Sequence, residues 1–232
     1  MTSGQKTGGT GSTPGLNPHL PSSMIGILNY EIGNLRSVQK ALEHEGAPTK
    51  WVRTEADLAG CDGLVLPGVG AFGDCVKEFR ATGLEGAVRD WIAADRPFFG
   101  ICVGYQMLFE ASDESPDVPG LGVFGGQVVR FDDRGRKVPQ IGWNTVQVRQ
   151  PQSPFLEGIA DGAYFYFVHS YYPQVAEADR PHVALEADYG VPFAAAITRG
   201  RLFATQFHPE KSQANGLRLL GNFVKMTQSV AA

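Results

Sequence analysis

The sequence predicts an α/β protein: a central, mostly parallel sheet with helices on both faces and a strand-rich C-terminal extension. Two observations predict it. Short apolar runs alternate with amphipathic stretches of helical length through the first half of the chain, the pattern of a parallel sheet wrapped by helices. After about Gly120 the texture changes to strand-length segments joined by tight turns, which reads as a mixed or antiparallel addition. Length is compatible with this: 232 residues, 43% of them hydrophobic and 19% charged, fit one large domain and would cramp two.

The folded part is expected over residues 24–232. "MIGILNY" is a buried-strand pattern, and "GNLRSVQKALEHEG" follows it with Leu35, Val38, Ala41 and Leu42 at helical spacing and Gly46 as a stop. "PTKWV" and "DGLVLPG" read as strands, "FGDCVKEFRATG" and "LEGAVRDWIAAD" as helices, and "PFFGIC" as a strand running into an amphipathic helix, "VGYQMLFEAS". The later strands are expected in "GQVVRFDDRGRKV", "NTVQVRQ", "AYFYFVHSYYP", "HVALEADYG" and "FAAAITRGRLFATQF", with "SQANGLRLLGNFVKMTQ" as a closing helix. Residues 1–23 are rich in Gly, Ser, Thr and Pro and read as a disordered tail or an upstream start; they lack the apolar core of a secretory signal and the arginines of a transit peptide.

Charge and cysteine usage narrow the function. A net charge of −4 with no clustered basic stripe argues against nucleic acid or an anionic membrane surface. No run approaches the roughly 18 apolar residues that span a bilayer. Cys61, Cys75 and Cys102 form neither a CxxC pair nor an even set, so a reducing, cytoplasmic setting is expected, with no structural metal.

Cys102 stands apart from the other two. It lies where a strand feeds a helix, flanked by Gly100 and Gly104 in G-x-C-x-G, the setting of a nucleophile elbow in which small neighbours allow a sharp turn that exposes the side chain. A helix starting at Val103 would aim its free N–H groups at the sulfur, favouring thiolate and offering the Val103 amide to an oxyanion. A small buried core cysteine would fit the same position. A cysteine nucleophile requires an imidazole base and a group to orient it. His169 and His208 are the candidates that remain once the tail, helix-surface and loop histidines are set aside. His208-Pro209-Glu210 follows a strand, and in extended backbone residues i and i+2 share a side, so Glu210 can accept from the imidazole; a solvated pair at a strand end is the plain alternative. "LVLPGVGAFGD" places Gly68, Val69 and Gly70 at a strand end, where bare backbone amides suit a second oxyanion donor, or an ordinary glycine turn.

Elbow cysteine, upstream glycine loop and downstream H-P-E together resemble the class I, triad-type glutamine amidotransferases. More narrowly, "GNLRSV", "LPGVGAF", "GICVGYQMLFE", "VPQIGWN", "YFVHSYY" and "QFHPEKS" are similar to the glutaminase subunits of imidazole glycerol phosphate synthases in histidine biosynthesis. The resemblance implies a flavodoxin-like fold, no cofactor, a catalytic triad of Cys102, His208 and Glu210, and oxyanion amides at Val103, Val69 and Gly70. It further implies a glutamine site using Gln106, Gly68, His169, Ser170 and Tyr171. A heterodimer with a (β/α)8 cyclase subunit is implied too, with Trp143, Asn144, Lys211 and Asn34 as interface candidates. One departure is that the pattern VPHMGWN reads here with Gln140 and Ile141. The chain carries no P-loop signature or second catalytic cluster to consume ammonia, so its chemistry also calls for a partner. The alternatives are a glutaminase serving another synthase, which would not need "GNLRSV" and "GWN", a stand-alone cysteine hydrolase of γ-glutamyl substrates, and a binding module that keeps the fold. An α/β-hydrolase is disfavoured because its acid precedes its histidine in the chain.

Overall fold

A computed structural model describes residues 23–228 of the chain. The expectation of a disordered N-terminal tail lies, apart from Ser23, outside the described residues. The elements run β1 (Ile25–Leu28), α1 (Leu35–His44), β2 (Thr49–Val52), β3 (Gly63–Gly68), α2 (Phe72–Ala81), α3 (Glu85–Ala93), β4 (Phe98–Cys102), α4 (Val103–Gln106), β5 (Ala111–Ser112), β6 (Gly126–Arg130), β7 (Gln140–Thr145) and β8 (Gln147–Val148). They continue through β9 (Tyr164–His169), β10 (Tyr171–Val175), β11 (Val183–Asp188), β12 (Pro192–Arg199), β13 (Leu202–Thr205) and α5 (Gln213–Gln228).

Eight strands form the main sheet in the order β2-β1-β3-β4-β13-β12-β11-β8. The five from β2 to β13 are parallel, and β12, β11 and β8 add antiparallel. In β1, β3, β4 and β13 every residue is buried, as strands covered on both faces by helices must be. Because the order reverses between β1 and β3, right-handed crossovers send α1 to one face and α2 and α3 to the other. Two small sheets, β10-β6-β5 and β7-β9, sit beside the main one. Their strands alternate buried and exposed residues, the mark of sheets covered on one side.

The structure departs from the sequence reading in two places that bear on the site. The strand-rich half is not simply appended: β13 runs parallel against β4, pairing Thr205 with Ile101, and so delivers the H-P-E segment to the edge where β4 ends. The amphipathic helix expected after Cys102 is a single turn, Val103–Gln106, and every residue from Val103 to Phe109 is buried. An element covered all round has no solvated face for periodicity to report. No helix among the described residues is long and apolar enough to cross a membrane.

Candidate active site

Cys102 closes β4 with φ 54° and ψ −111°, a backbone conformation that a non-glycine residue holds only where its surroundings enforce it. The flanking glycines are what the packing requires. A Cβ on Gly104 would lie 2.0 Å from the Leu66 carbonyl oxygen, and one on Gly100 would lie 3.0 Å from the Ala204 Cβ. The elbow is thus wedged between β3 and β13. The thiol is 4% exposed. Its N–H donors do not depend on a long helix dipole, since α4 is one turn; the first amides of any helical turn are free of intrahelical partners, and that of Val103 is among them.

His208 and Glu210 meet the cysteine from β13. The His208 Nδ1–H donates to Glu210 Oε1 at 2.9 Å, and both side chains are almost wholly enclosed, at 2% and 1% exposure. The pairing does not come from extended backbone as the sequence reading supposed: Pro209–Lys211 is a 3-10 turn, which folds Glu210 back onto the imidazole. The His208 N–H bonds to the Tyr166 carbonyl at 3.0 Å. Ser212 Oγ donates to the His208 carbonyl at 2.6 Å while accepting from the Tyr166 amide at 2.9 Å. His208 Nε2 is buried and has no hydrogen-bond partner among the described residues, while the ring interacts with the Cys102 sulfur. Burial works against a charge on this imidazole, but the Cys102 sulfur and the Glu210 carboxylate outweigh it and raise its pKa from 6.5 to about 10. At neutral pH the ring therefore carries its second proton.

A cavity of about 250 Å³ opens over these groups, lined by Val69, Gly70, Cys102, Val103, Gln106, Glu114, His169, Ser170, Tyr171 and His208, with Pro139, Ile141 and Val168 as an apolar wall. Every residue expected at the triad, the oxyanion and the glutamine site lines it except Gly68 and Glu210. Glu210 supports the imidazole from behind. Gly68 is structural: its Cβ would fall 2.7 Å from the Gly104 amide nitrogen. Gln106 gives its amide N–H groups to the Tyr171 carbonyl and to Gln206 Oε1, each at 3.0 Å, and so offers a ligand only its oxygen. The His169 Nδ1–H donates to the Tyr171 carbonyl at 2.8 Å. Burial lowers its pKa from 6.5 to about 4, so the ring is neutral and Nε2, 3.0 Å from the Gln140 side-chain amide, accepts from the N–H₂ end of that amide, whose two ends are interchangeable in shape. The departure at Gln140 thus supplies the wall histidine with its second partner.

Three residues were missed by the sequence reading. Gln206 is fully buried, with its Nε2 4.0 Å from Cys102 Sγ. Ser212 anchors the turn. Glu114, in the acidic loop after the elbow, reaches the cavity and accepts the Phe72 amide at 2.7 Å. The first two sit in the quoted "QFHPEKS" segment, so their proximity to His208 was the available signal; Glu114 gave none beyond its charge.

The interface candidates separate. Trp143 and Ile141 are 46% and 60% exposed, and with Tyr164, 57% exposed, they share the outer face of β7–β9. Lys211 is exposed on the turn after Glu210, and Trp143 and Tyr164 border the hollow formed by Ser212–Asn215 just beyond it. Asn144 points to the opposite face by the pleat and donates to the Asp188 carbonyl at 2.8 Å. Asn34 precedes α1, half-buried, its side-chain oxygen accepting from Ser37 Oγ at 2.8 Å and not from a helix backbone amide.

A strained cysteine elbow, an imidazole between it and a buried carboxylate, and a parallel sheet that carries both define a cysteine-dependent amidotransferase of triad type. Residues 27–226 match the family Glutamine amidotransferase class-I, and the chain belongs to it. Its relatives place it more narrowly, with the HisH subunits of imidazole glycerol phosphate synthase. That of Rhodopirellula baltica is 50% identical over 209 residues, covering 90% of this chain and all of the relative; one from Desulfitobacterium hafniense is 48% identical, covering 87% and 94%. A crystal structure of a glutamine amidotransferase aligns with a TM-score of 0.68 at 26% identity, covering 88% of this chain and 98% of that one. PurLQS from Thermotoga maritima, at 16% identity and a TM-score of 0.69 over 91% of this chain and 100% of that one, shares the fold.

Proposed function

We propose that this chain hydrolyses glutamine to glutamate and ammonia as the glutaminase subunit of an imidazole glycerol phosphate synthase, with Cys102, His208 and Glu210 as its triad. The observation that carries the reading is His208, bonded to buried Glu210 through Nδ1 at 2.9 Å and left unpartnered at Nε2 within a cavity that Cys102 lines. The Cys102 thiolate attacks the carboxamide carbon, forming the S–C bond and placing negative charge on the oxygen. Amides of Val103 and of the Val69–Gly70 turn receive that oxyanion; one such donor is worth about 3 kcal/mol in other hydrolases. The intermediate collapses with cleavage of the C–N bond as His208 passes its proton to the leaving nitrogen. Water, deprotonated by the same imidazole, then cleaves the thioester to glutamate, while Glu210 keeps the ring in register.

The cavity suits an amino acid. Glu114, the carboxylate on its rim, is the partner for the α-ammonium group, and the Ser170–Tyr171 backbone with the oxygen of Gln106 flanks the remaining polar atoms. Ammonia made here serves a (β/α)8 cyclase subunit bound as a heterodimer in the cytoplasm. The exposed face of Ile141, Trp143 and Tyr164, continued by Lys211, supports that placement, because a contiguous apolar patch rimmed by polar groups is the usual mark of a docking surface. Asn34 joins it through the packing of α1 beside the Pro209–Lys211 turn. Asn144 supports the patch by tying β7 to Asp188. The test is ammonia release from glutamine by the purified chain, wild type against Cys102→Ser. The wild type releases ammonia and the variant does not; equal release by both would refute the assignment.

A further inference from the structure

The glycine turn that carries the second oxyanion donor is gripped from below by two buried side chains outside the triad. Tyr30 follows β1 and is 2% exposed; its hydroxyl donates to the Pro67 carbonyl at 2.6 Å. Cys75 lies on α2 with no exposure, and its thiol donates to the Val69 carbonyl at 3.3 Å. Between those carbonyls sits Gly68, where a Cβ would be 2.8 Å from the Tyr30 hydroxyl and 2.7 Å from the Gly104 amide nitrogen. The turn is therefore held between the phenol on one side and the elbow on the other. In a trans peptide the carbonyl and the N–H point in opposite directions. Drawing the Val69 carbonyl inward to Cys75 accordingly turns the Gly70 N–H outward, to the cavity that Gly70 and Cys102 both line. Gly70, at φ 95° with nothing within 4 Å of a Cβ, gives the turn the conformational freedom to adopt this orientation.

We propose that Tyr30 and Cys75 are positioning residues for glutamine hydrolysis, acting as a pair of buried donors that hold the Pro67 and Val69 carbonyls inward and so aim the Gly70 amide at the oxyanion. Neither is needed as filler alone, since phenylalanine and alanine would occupy these places without donating. Both groups keep their protons at neutral pH. Burial raises the Cys75 thiol from 9.0 to about 11, and burial, with the neighbouring Cys75 and Cys102, holds the Tyr30 phenol well above its ordinary value. A thiol and a phenol that stay protonated at neutral pH are donors there, and each here faces a carbonyl that can only accept. The proposal gives a function to Cys75, which the sequence leaves without one, and it rests on the glutaminase reading above.

The test is steady-state glutamine hydrolysis by the full chain with its synthase partner, for wild type, Tyr30→Phe, Cys75→Ala and the donor-retaining Cys75→Ser. Because the clamped amides act on charge that exists only in the transition state, Tyr30→Phe and Cys75→Ala should each lower kcat about tenfold with KM held within about twofold. Affinity for the γ-aldehyde analogue of glutamine, which forms a tetrahedral adduct with the thiolate, should fall by the same factor. Alkylation of Cys102 by iodoacetamide, a displacement that builds no oxyanion, should stay at the wild-type rate. Cys75→Ser should regain most of the loss. Unchanged kcat in both Tyr30→Phe and Cys75→Ala would overturn the proposal, as would a fall in alkylation matching the fall in kcat, which would mean a disturbed elbow and not a misaimed amide. Failure of the wild type itself to hydrolyse glutamine would overturn the reading beneath it.

Discussion

His208 is raised and His169 is lowered, though both imidazoles are buried within one cavity wall, and the difference lies in what each nitrogen faces. His208 looks onto sulfur and carboxylate, His169 onto a carbonyl and an amide. The pH signs follow from linkage. A histidine raised from 6.5 to about 10 adds stability in full below pH 6.5 and loses it as pH climbs through 10. One lowered to about 4 adds stability above 6.5 and loses it as pH falls through 4, worth roughly 3 kcal/mol for a shift of that size. Chemical denaturation across pH should show both slopes, with Cys102→Ala removing much of the alkaline one and leaving the acid one intact. On activity, His208→Ala should be the most damaging change after loss of the thiol, whereas Glu210→Gln should be roughly ten- to a hundredfold milder in kcat, because the histidine moves protons and the glutamate positions it. Turnover at saturating glutamine checks this; a worse Glu210→Gln would reverse the roles. The meeting of Cys102, His208 and Glu210 was legible in the sequence because the proposed roles of nucleophile, base and orienter are bound to particular residue types. Gln206 and Glu114 were not, since glutamine and glutamate are common and only the meeting of β13 with β4, or of an acidic loop with α2, gives them a part.

The elbow shows what an element-level pattern can and cannot carry. G-x-C-x-G announced a tight strand-to-helix turn, and the structure accounts for Gly104 by a clash with the Leu66 carbonyl and for Gly100 by a tight contact with Ala204. The length of the following helix was misread because burial on all sides erases the amphipathic signal. The same holds for His208-Pro209-Glu210, where proline is compatible with both extended backbone and the first position of a 3-10 turn. Two substitutions separate packing from backbone conformation. Gly104→Ala forces a Cβ to 2.0 Å from the Leu66 carbonyl and should destabilise the chain by about 3 kcal/mol or more. Gly70→Ala meets no atom but must hold φ 95°, a strain of about 1 kcal/mol. Thermal unfolding of the two variants tests the contrast: a Gly104→Ala chain as stable as Gly70→Ala would mean that β3 does not hold the elbow.

At the scale of the molecule, the first half of the chain places Cys102 and the Gly68–Gly70 turn, while the second half returns through β13, parallel to β4, to place His208 and Glu210, and presents an apolar face on β7–β9. That arrangement lets a docked subunit press on the turn that fixes the base and on the wall that carries Ile141. Ammonia released to water at neutral pH is mostly ammonium and no nucleophile, so hydrolysis is useful only when the acceptor site is attached. Trp143→Ala and Lys211→Ala should accordingly reduce activation by the partner far more than they reduce the rate of the isolated chain, each being exposed and outside the lining of the cavity. The fold class could be read from alternating segments; the insertion of β13 beside β4 could not, because a parallel pairing over a hundred residues leaves no local trace. The most direct test of the central claim is mass spectrometry of the intact chain after exposure to a glutamine-like alkylating agent, in competition with glutamine. One adduct on Cys102, prevented by glutamine and absent in His208→Ala at neutral pH, is the predicted result; labelling of Cys61 or Cys75 at a comparable rate, or labelling that glutamine does not slow, would contradict it.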